Sequence, residues 1–115
     1  MSYTLAFWSG ADAADCADTY IRLNKGEPVD GVRPVDAAAV ERAMAGLADW
    51  SRSGTMLYPP GGTSADGPVF DVFIDTHAVV YTGYSVAPQH LNEVIDLMRA
   101  LGFRLYDPQR MERFE

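Results

Sequence analysis

Residues Tyr3 to Trp8 (YTLAFW) form a short aromatic and aliphatic run that stops at Ser9-Gly10, the pattern of a β-strand bounded by a turn. Ser9 with Asp12 three positions on has the form of a capping box, Asp taking the Glu place, and predicts a helix from about Ala11 to Asn24 that Gly26 stops. Glu27 to Pro34 reads as a loop with two prolines. Asp36 then caps a second helix, Ala37 to about Ser51, whose Val40, Ala43, Met44, Leu47 and Trp50 recur on one face. Ser53 to Pro68 (SGTMLYPPGGTSADGP) is rich in Gly, Pro and Ser and is expected to be a surface loop. In Val69 to Asp75, Phe70, Val72 and Ile74 alternate with Asp71, Phe73 and Asp75, as in an antiparallel strand with one buried face. Thr76-His77 connects it tightly to Ala78–Tyr84, which predicts a hairpin. Ser85 is expected to cap a third helix with Pro88 in its first turn, where a missing N–H costs little. Leu91, Val94, Ile95, Met98 and Leu101 form that helix's apolar stripe, and Gly102 ends it. Phe103 to Tyr106 is the last predicted strand. Asp107-Pro108 then ends strand pairing by removing a donor, with Asp107 and Gln109 placed to tie down the tail by local hydrogen bonds.

The order β, α, α, β, β, α, β, with the first two helices taken as one crossover, predicts an α+β fold. Its form is a four-stranded antiparallel sheet with helices on one face, a ferredoxin-like βα(α)ββαβ sandwich. Leu5, Phe7, Phe70, Val72, Ile74, Phe103 and Leu105 would face the helices. The opposite face would show Trp8, Asp71, Phe73, Asp75, Arg104 and Tyr106, with Tyr81 among them. Aromatic anchors mixed with carboxylates are the chemistry of a protein–protein contact. The competing reading is that the long loop or an early helix covers this face.

With 115 residues the chain is expected to be one domain, 1–115, and its 48% hydrophobic and 22% charged content argues for a packed core rather than disorder. Sixteen acidic against nine basic residues give a net charge of −7. That balance argues against nucleic acid as partner, since phosphate recruits a Lys/Arg patch, and it steers the protein toward basic protein surfaces. No apolar run has the length of a membrane span, and the N-terminus lacks the basic and apolar regions of a secretory signal, so a cytoplasmic protein without a membrane partner is expected. The lone Cys16, in an alanine-rich amphipathic stretch, reads as a small hydrophobe.

Catalytic patterns are sparse. The two histidines, His77 and His90, show no H-x-x-x-H or H-x-H spacing, and no C-x-x-C occurs, so no metal or cofactor is expected. His77 beside Asp75 is a candidate acid–base pair, set against the commoner turn histidine beside a capping Asp. Gly61-Gly62-Thr63-Ser64 lacks the lysine and the following helix of a phosphate-cradling loop. No G-x-S-x-G marks a serine nucleophile. The sequence reads as that of a protein that is not an enzyme. A small ligand-binding domain or enzyme built on the His77/Asp75 turn and the Gly-rich loop is the alternative.

The two ends, SYTLAFW and PQHLNEVIDLMRALGFRLYDPQRMERFE, resemble a family of small bacterial proteins. Its members open with S-Y-x-L-x-F/V-W and close with P-x-x-L-N-x-I-I-D, then G-x-x-L-Y-D-P-Q and E-R-F/Y-E. Ser2, Tyr3, Leu5, Phe7 and Trp8 match at one end. Pro88, Leu91, Asn92, Ile95, Asp96, Gly102, Leu105, Tyr106, Asp107, Pro108, Gln109, Glu112 and Arg113 match at the other. Such proteins are similar to immunity proteins encoded beside polymorphic or Rhs-type toxins, including those of type VI secretion. The resemblance implies binding and neutralisation of a cognate toxin domain. The middle of the chain departs from the pattern, and partner specificity would be written there. The expected contact residues are Trp8, Asp71, Phe73, Asp75, Tyr81 and Tyr106, with Met56, Leu57 and Tyr58 as a second patch. A homodimer formed by the open sheet face pairing with itself is a further alternative.

Overall fold

The computed structural model describes residues 2–60 and 67–114. Among these, seven strands and three helices follow in the order β1 (Ser2–Trp8), α1 (Cys16–Asn24), α2 (Ala37–Ala45), β2 (Ser51–Ser53), β3 (Met56–Tyr58), β4 (Val69–Ile74), β5 (Val79–Tyr84), α3 (Pro88–Ala100), β6 (Arg104–Asp107) and β7 (Glu112–Arg113). The strands form one antiparallel sheet in the order β2-β3-β4-β5-β1-β6-β7. The α+β character stands. The four-stranded ferredoxin-like sheet with helices on one face does not, and it fails on two counts.

First, the sheet is wider. Residues 51–58, assigned by pattern to a helix end and a loop, form a short hairpin in which Ser51 faces Tyr58 and Ser53 faces Met56. Leu57 then pairs with Phe70 and adds this hairpin to the edge of β4. The other edge gains β7, because Asp107-Pro108 ends β6 in a turn and does not end the chain's pairing. Second, helices lie on both faces. Helix α1 begins at Asp15, whose carboxylate accepts from the N–H groups of Ala17 (3.0 Å) and Asp18 (3.1 Å). The Ser9/Asp12 cap does not form. The Ser9 hydroxyl donates instead to the Gly102 carbonyl (2.9 Å), and Asp12 binds Arg104.

After α1 the chain crosses to the opposite face around the end of the sheet. There the Arg33 N–H donates to the Ser9 carbonyl (2.9 Å) and the Val35 N–H to the Thr76 carbonyl (2.7 Å). Gly10 pairs with Val32 at this crossing, at φ +89°, and a Cβ on it would stand 2.0 Å from the Gly31 carbonyl oxygen. Only glycine fits.

The larger core lies between the sheet and the pair α2/α3. It contains Leu5, Phe7, Phe70, Val72, Phe103 and Leu105, with Val40 and Met44 of α2 and Val94 and Met98 of α3; Ile74 packs at its margin. These sheet residues are the ones that alternation assigns inward. The second core is smaller: Ala6, Trp8 and Tyr106 of the sheet, with Ala78 just before β5, meet Leu23 of α1 and Val32. The Asp36 carboxylate caps α2 through the Ala39 N–H (3.1 Å), as expected. Helix α3 starts at Ala87 rather than Ser85, and the His90 ring accepts the Ala87 N–H through Nδ1 (3.0 Å).

The tail completes the sheet by side-chain mimicry. The β1–β6 register sets Trp8 opposite Arg104 and Ala6 opposite Tyr106; continued by two residues, it brings Thr4 to Pro108, which has no N–H to give. The Gln109 amide fills the place: its Oε1 accepts from the Thr4 N–H (2.8 Å) and its Nε2 donates to the Thr4 carbonyl (2.9 Å). Asp107, only 4% exposed, holds this amide by accepting from its Nε2 (2.6 Å), and it also accepts from the Gln109 N–H (3.0 Å) and the Tyr3 hydroxyl. Further along, the Arg113 guanidinium lies 4.7 Å from the Trp8 ring centroid. It donates to the Trp8 carbonyl (3.1 Å) and to Asp12 (3.2 Å).

Candidate partner-binding face

Helix α1 covers only part of its side of the sheet. It lies over β1, the start of β5 and β6, where Ala6, Trp8, Ala78 and Tyr106 are buried. Over β3, β4 and the end of β5 no described helix covers the same face. The ladder aligns Met56 with Asp71 and Thr82, Phe73 with Val80, and Val69 with Tyr84, so these side chains share one side. Phe73 is 61% exposed and Tyr84 44%, while Met56, Tyr58, Asp71 and Val80 are half-buried. The result is an aromatic and aliphatic surface with Asp71 in its middle and Asp75 at its end. None of the β3–β5 positions on this side is Lys or Arg.

The expected contact residues divide accordingly. Met56, Tyr58, Asp71 and Phe73 come together on the uncovered area, and Asp75 sits at the hairpin tip beside it, where its carboxylate accepts from the Thr76 N–H (2.8 Å). Trp8 and Tyr106 lie on this side of the sheet but beneath α1. Their rings are 5.4 Å apart, with Tyr20 of α1 5.1 Å from Tyr106. Burial pushes the Tyr106 phenol above its ordinary value. Leu57 and Tyr81 face the α2/α3 core and belong to no surface. Tyr81 meets Phe7 and Phe70 edge-on at 5.7 and 6.1 Å, its hydroxyl reaches Met98 Sδ (3.3 Å), and burial raises its pKa strongly.

The reason is register. A two-residue Thr76-His77 connection sets Ile74 opposite Val79, so Tyr81 must share the side of Val72 and Ile74. The same parity identifies what pattern reading missed: Val80, Thr82 and Tyr84 on the open side.

The His77/Asp75 turn borders a cavity of about 120 Å³, lined also by Glu27, Thr76 and Leu23. That volume holds a few waters and falls below the roughly 300 Å³ at which small-molecule pockets begin. The Gly-rich residues Gly61 to Ser64, the other half of that alternative, lie outside the described residues. Among the described residues no group of three or more His, Cys, Asp or Glu could hold a metal ion, and no helix is long and apolar enough to cross a membrane.

Comparison of the chain with protein-family models, with curated proteins and with solved structures returns no match.

Proposed function

We propose that this chain is a binding protein of the immunity type, which neutralises a cognate secreted toxin domain by protein–protein contact through the uncovered part of the sheet. One observation carries the reading: among the described residues a single sheet face is buried under α1 at one end and left open at the other, where Phe73 and Tyr84 stand out beside Asp71. Large aromatics surrounded by charge are the anchors of tight interfaces. A net charge of −7, with no basic residue among the β3–β5 side chains of this face, selects a partner with a basic surface and speeds its approach. The toxin as the kind of partner comes from the resemblance of the two chain ends.

The test is co-expression with the product of the adjacent upstream gene, scored by rescue of growth and by co-purification. Covering a Phe that is 61% exposed removes on the order of 100 Å² from water, about 2.5 kcal/mol. Phe73→Ala is therefore expected to weaken the complex by up to about seventyfold. Asp71→Lys is expected to slow association. A neighbour that is no toxin and forms no complex, or a complex indifferent to both substitutions, overturns the proposal.

A further inference from the structure

On the α3 side of the sheet, away from the partner-binding face, a cleft of about 250 Å³ opens between β1, β6, the first half of α3 and the tail. Its apolar walls are Leu5, Leu91, Ile95, Leu105 and Phe114. Past Tyr3, Pro88 and Leu91, which line both, it adjoins a second hollow of about 230 Å³ beneath the start of α3. Together they pass the roughly 300 Å³ at which small-molecule pockets begin. The polar lining is Tyr3, Asn92, Asp107 and Arg110.

Asp107 is the charge that sets this cleft apart. It is 4% exposed, and no ion pair joins it to a cation among the described residues. Its Oδ1 accepts from the Gln109 amide (2.6 Å) and from the N–H groups of Gln109 (3.0 Å) and Arg110 (3.3 Å). Its Oδ2 accepts only from the Tyr3 hydroxyl, which leaves a lone pair for one more donor. Buried carboxylates are ordinarily matched by a cation. The Arg110 guanidinium does not supply it. With its side chain 61% exposed, it lies 5.7 Å from the Phe114 ring centroid and pairs loosely with Glu112 at 3.5 Å. Its charge still reaches this end of the cleft. The Tyr3 phenol is raised first by its bond to Asp107 and drawn partly back by Arg110.

We infer that the cleft binds a free α-amino acid with a branched apolar side chain. The ammonium completes the shell of Asp107, the carboxylate meets Arg110 at the mouth, and the side chain lies against Leu5, Leu91 and Ile95. A plain amine leaves Arg110 facing a like charge, and a plain carboxylic acid sets its anion beside Asp107. A zwitterion suits both. At roughly 30 Å³ per water-sized group, the 250 Å³ cleft has room for about eight, which fits valine or, with its carboxylate at the mouth, leucine. The site uses no residue of the uncovered sheet face, so a bound amino acid leaves that face free.

Titration of the full chain with L-leucine, followed by two-dimensional amide NMR, tests this. Saturable shifts are expected at Tyr3, Leu91, Ile95 and Arg110, with a dissociation constant of about 1 mM or tighter. Isoamylamine and isocaproate each lack one charge, and glycine lacks the side chain. Each should bind at least about tenfold more weakly than leucine. Arg110→Ala, at an exposed position, should weaken leucine about tenfold without weakening isoamylamine. An absence of saturable shifts at about 20 mM leucine overturns the inference. So does either single-charge analogue binding as tightly as leucine, or an Arg110→Ala protein that holds leucine as tightly as wild type.

Discussion

Replacing Gln109 tests the idea that a side-chain amide stands in for a missing strand residue. Gln109→Ala removes two hydrogen bonds to the Thr4 backbone, at 2.8 and 2.9 Å, and one to the Asp107 carboxylate at 2.6 Å. The two at Thr4 are accessible to water, which takes over part of their work, so each is worth about 0.5–1 kcal/mol. The bond to the charged and almost buried Asp107 is worth about 1.5 kcal/mol. The sum predicts a loss of about 2.5–3.5 kcal/mol, read in urea as a lower midpoint at unchanged slope. In a melt it amounts to roughly 8–14 °C.

Gln109→Glu sharpens the test, since it keeps the shape and replaces the donor with an acceptor. A second carboxylate then faces Asp107 and the Thr4 carbonyl. This variant is expected to fall below Gln109→Ala at neutral pH and to recover toward it on acidification, as a proton becomes shared between the carboxyls. A Gln109→Ala protein within about 0.5 kcal/mol of wild type, or a Gln109→Glu variant as stable as the Ala one, would refute the reasoning.

Two further predictions concern burial and close approach. Tyr81 and Tyr106 are raised above the ordinary phenol value of 10.0 by burial, and Tyr3 first by the hydrogen bond it donates to Asp107. A raised folded-state pKa contributes stability that is complete below the unfolded value, so stability should fall as pH climbs past about 10 toward the folded values. Phenolate absorbance should show these three of the six tyrosines ionising late in the folded protein and with the others once it is unfolded; a single folded-state transition near 10 would contradict this. Gly10→Ala should cost more than about 3 kcal/mol, because its Cβ meets the Gly31 carbonyl and its φ is positive; a urea midpoint near wild type would show that the crossing is not held there.

Local chemistry was legible in this sequence where it obeyed one rule at a time. Strict alternation placed Phe70, Val72 and Ile74 inward. The Asp36 cap, Gly102 just past α3, and the hydrogen-bonding residues Asp107 and Gln109 follow from short-range preferences that tertiary contacts left in place. What the pattern hides is competition between partners. Ser9 and Asp12 have the spacing of a helix cap, yet Gly102 and Arg104, more than 90 residues away in sequence, take their hydrogen bonds, and the cap passes to Asp15. The same limit bears on the candidate face. Met56, Asp71 and Phe73 were visible as residue types in an alternating stretch. The side taken by Tyr81 depended on hairpin register, and the fate of Trp8 and Tyr106 depended on where α1 packs. No local signal in Ala11–Asn24 says which side of a sheet that helix will cover, because only Thr19 and Leu23 are fully buried in it.

The place of β1 constrains how the chain reaches its fold during synthesis. Strand β1 is made before both of its neighbours and is an inner strand of the finished sheet, held on one side by residues 79–84 and on the other by 104–106 and the Gln109 amide. A nascent chain that has emerged as far as α3 has one edge of β1 satisfied and the other bare, with Trp8 still waiting for Arg113 to close over it. Residues 104–113 therefore decide whether β1 is shielded on both edges. Until they arrive, an aromatic strand keeps one edge of backbone donors and acceptors open to pairing with another chain.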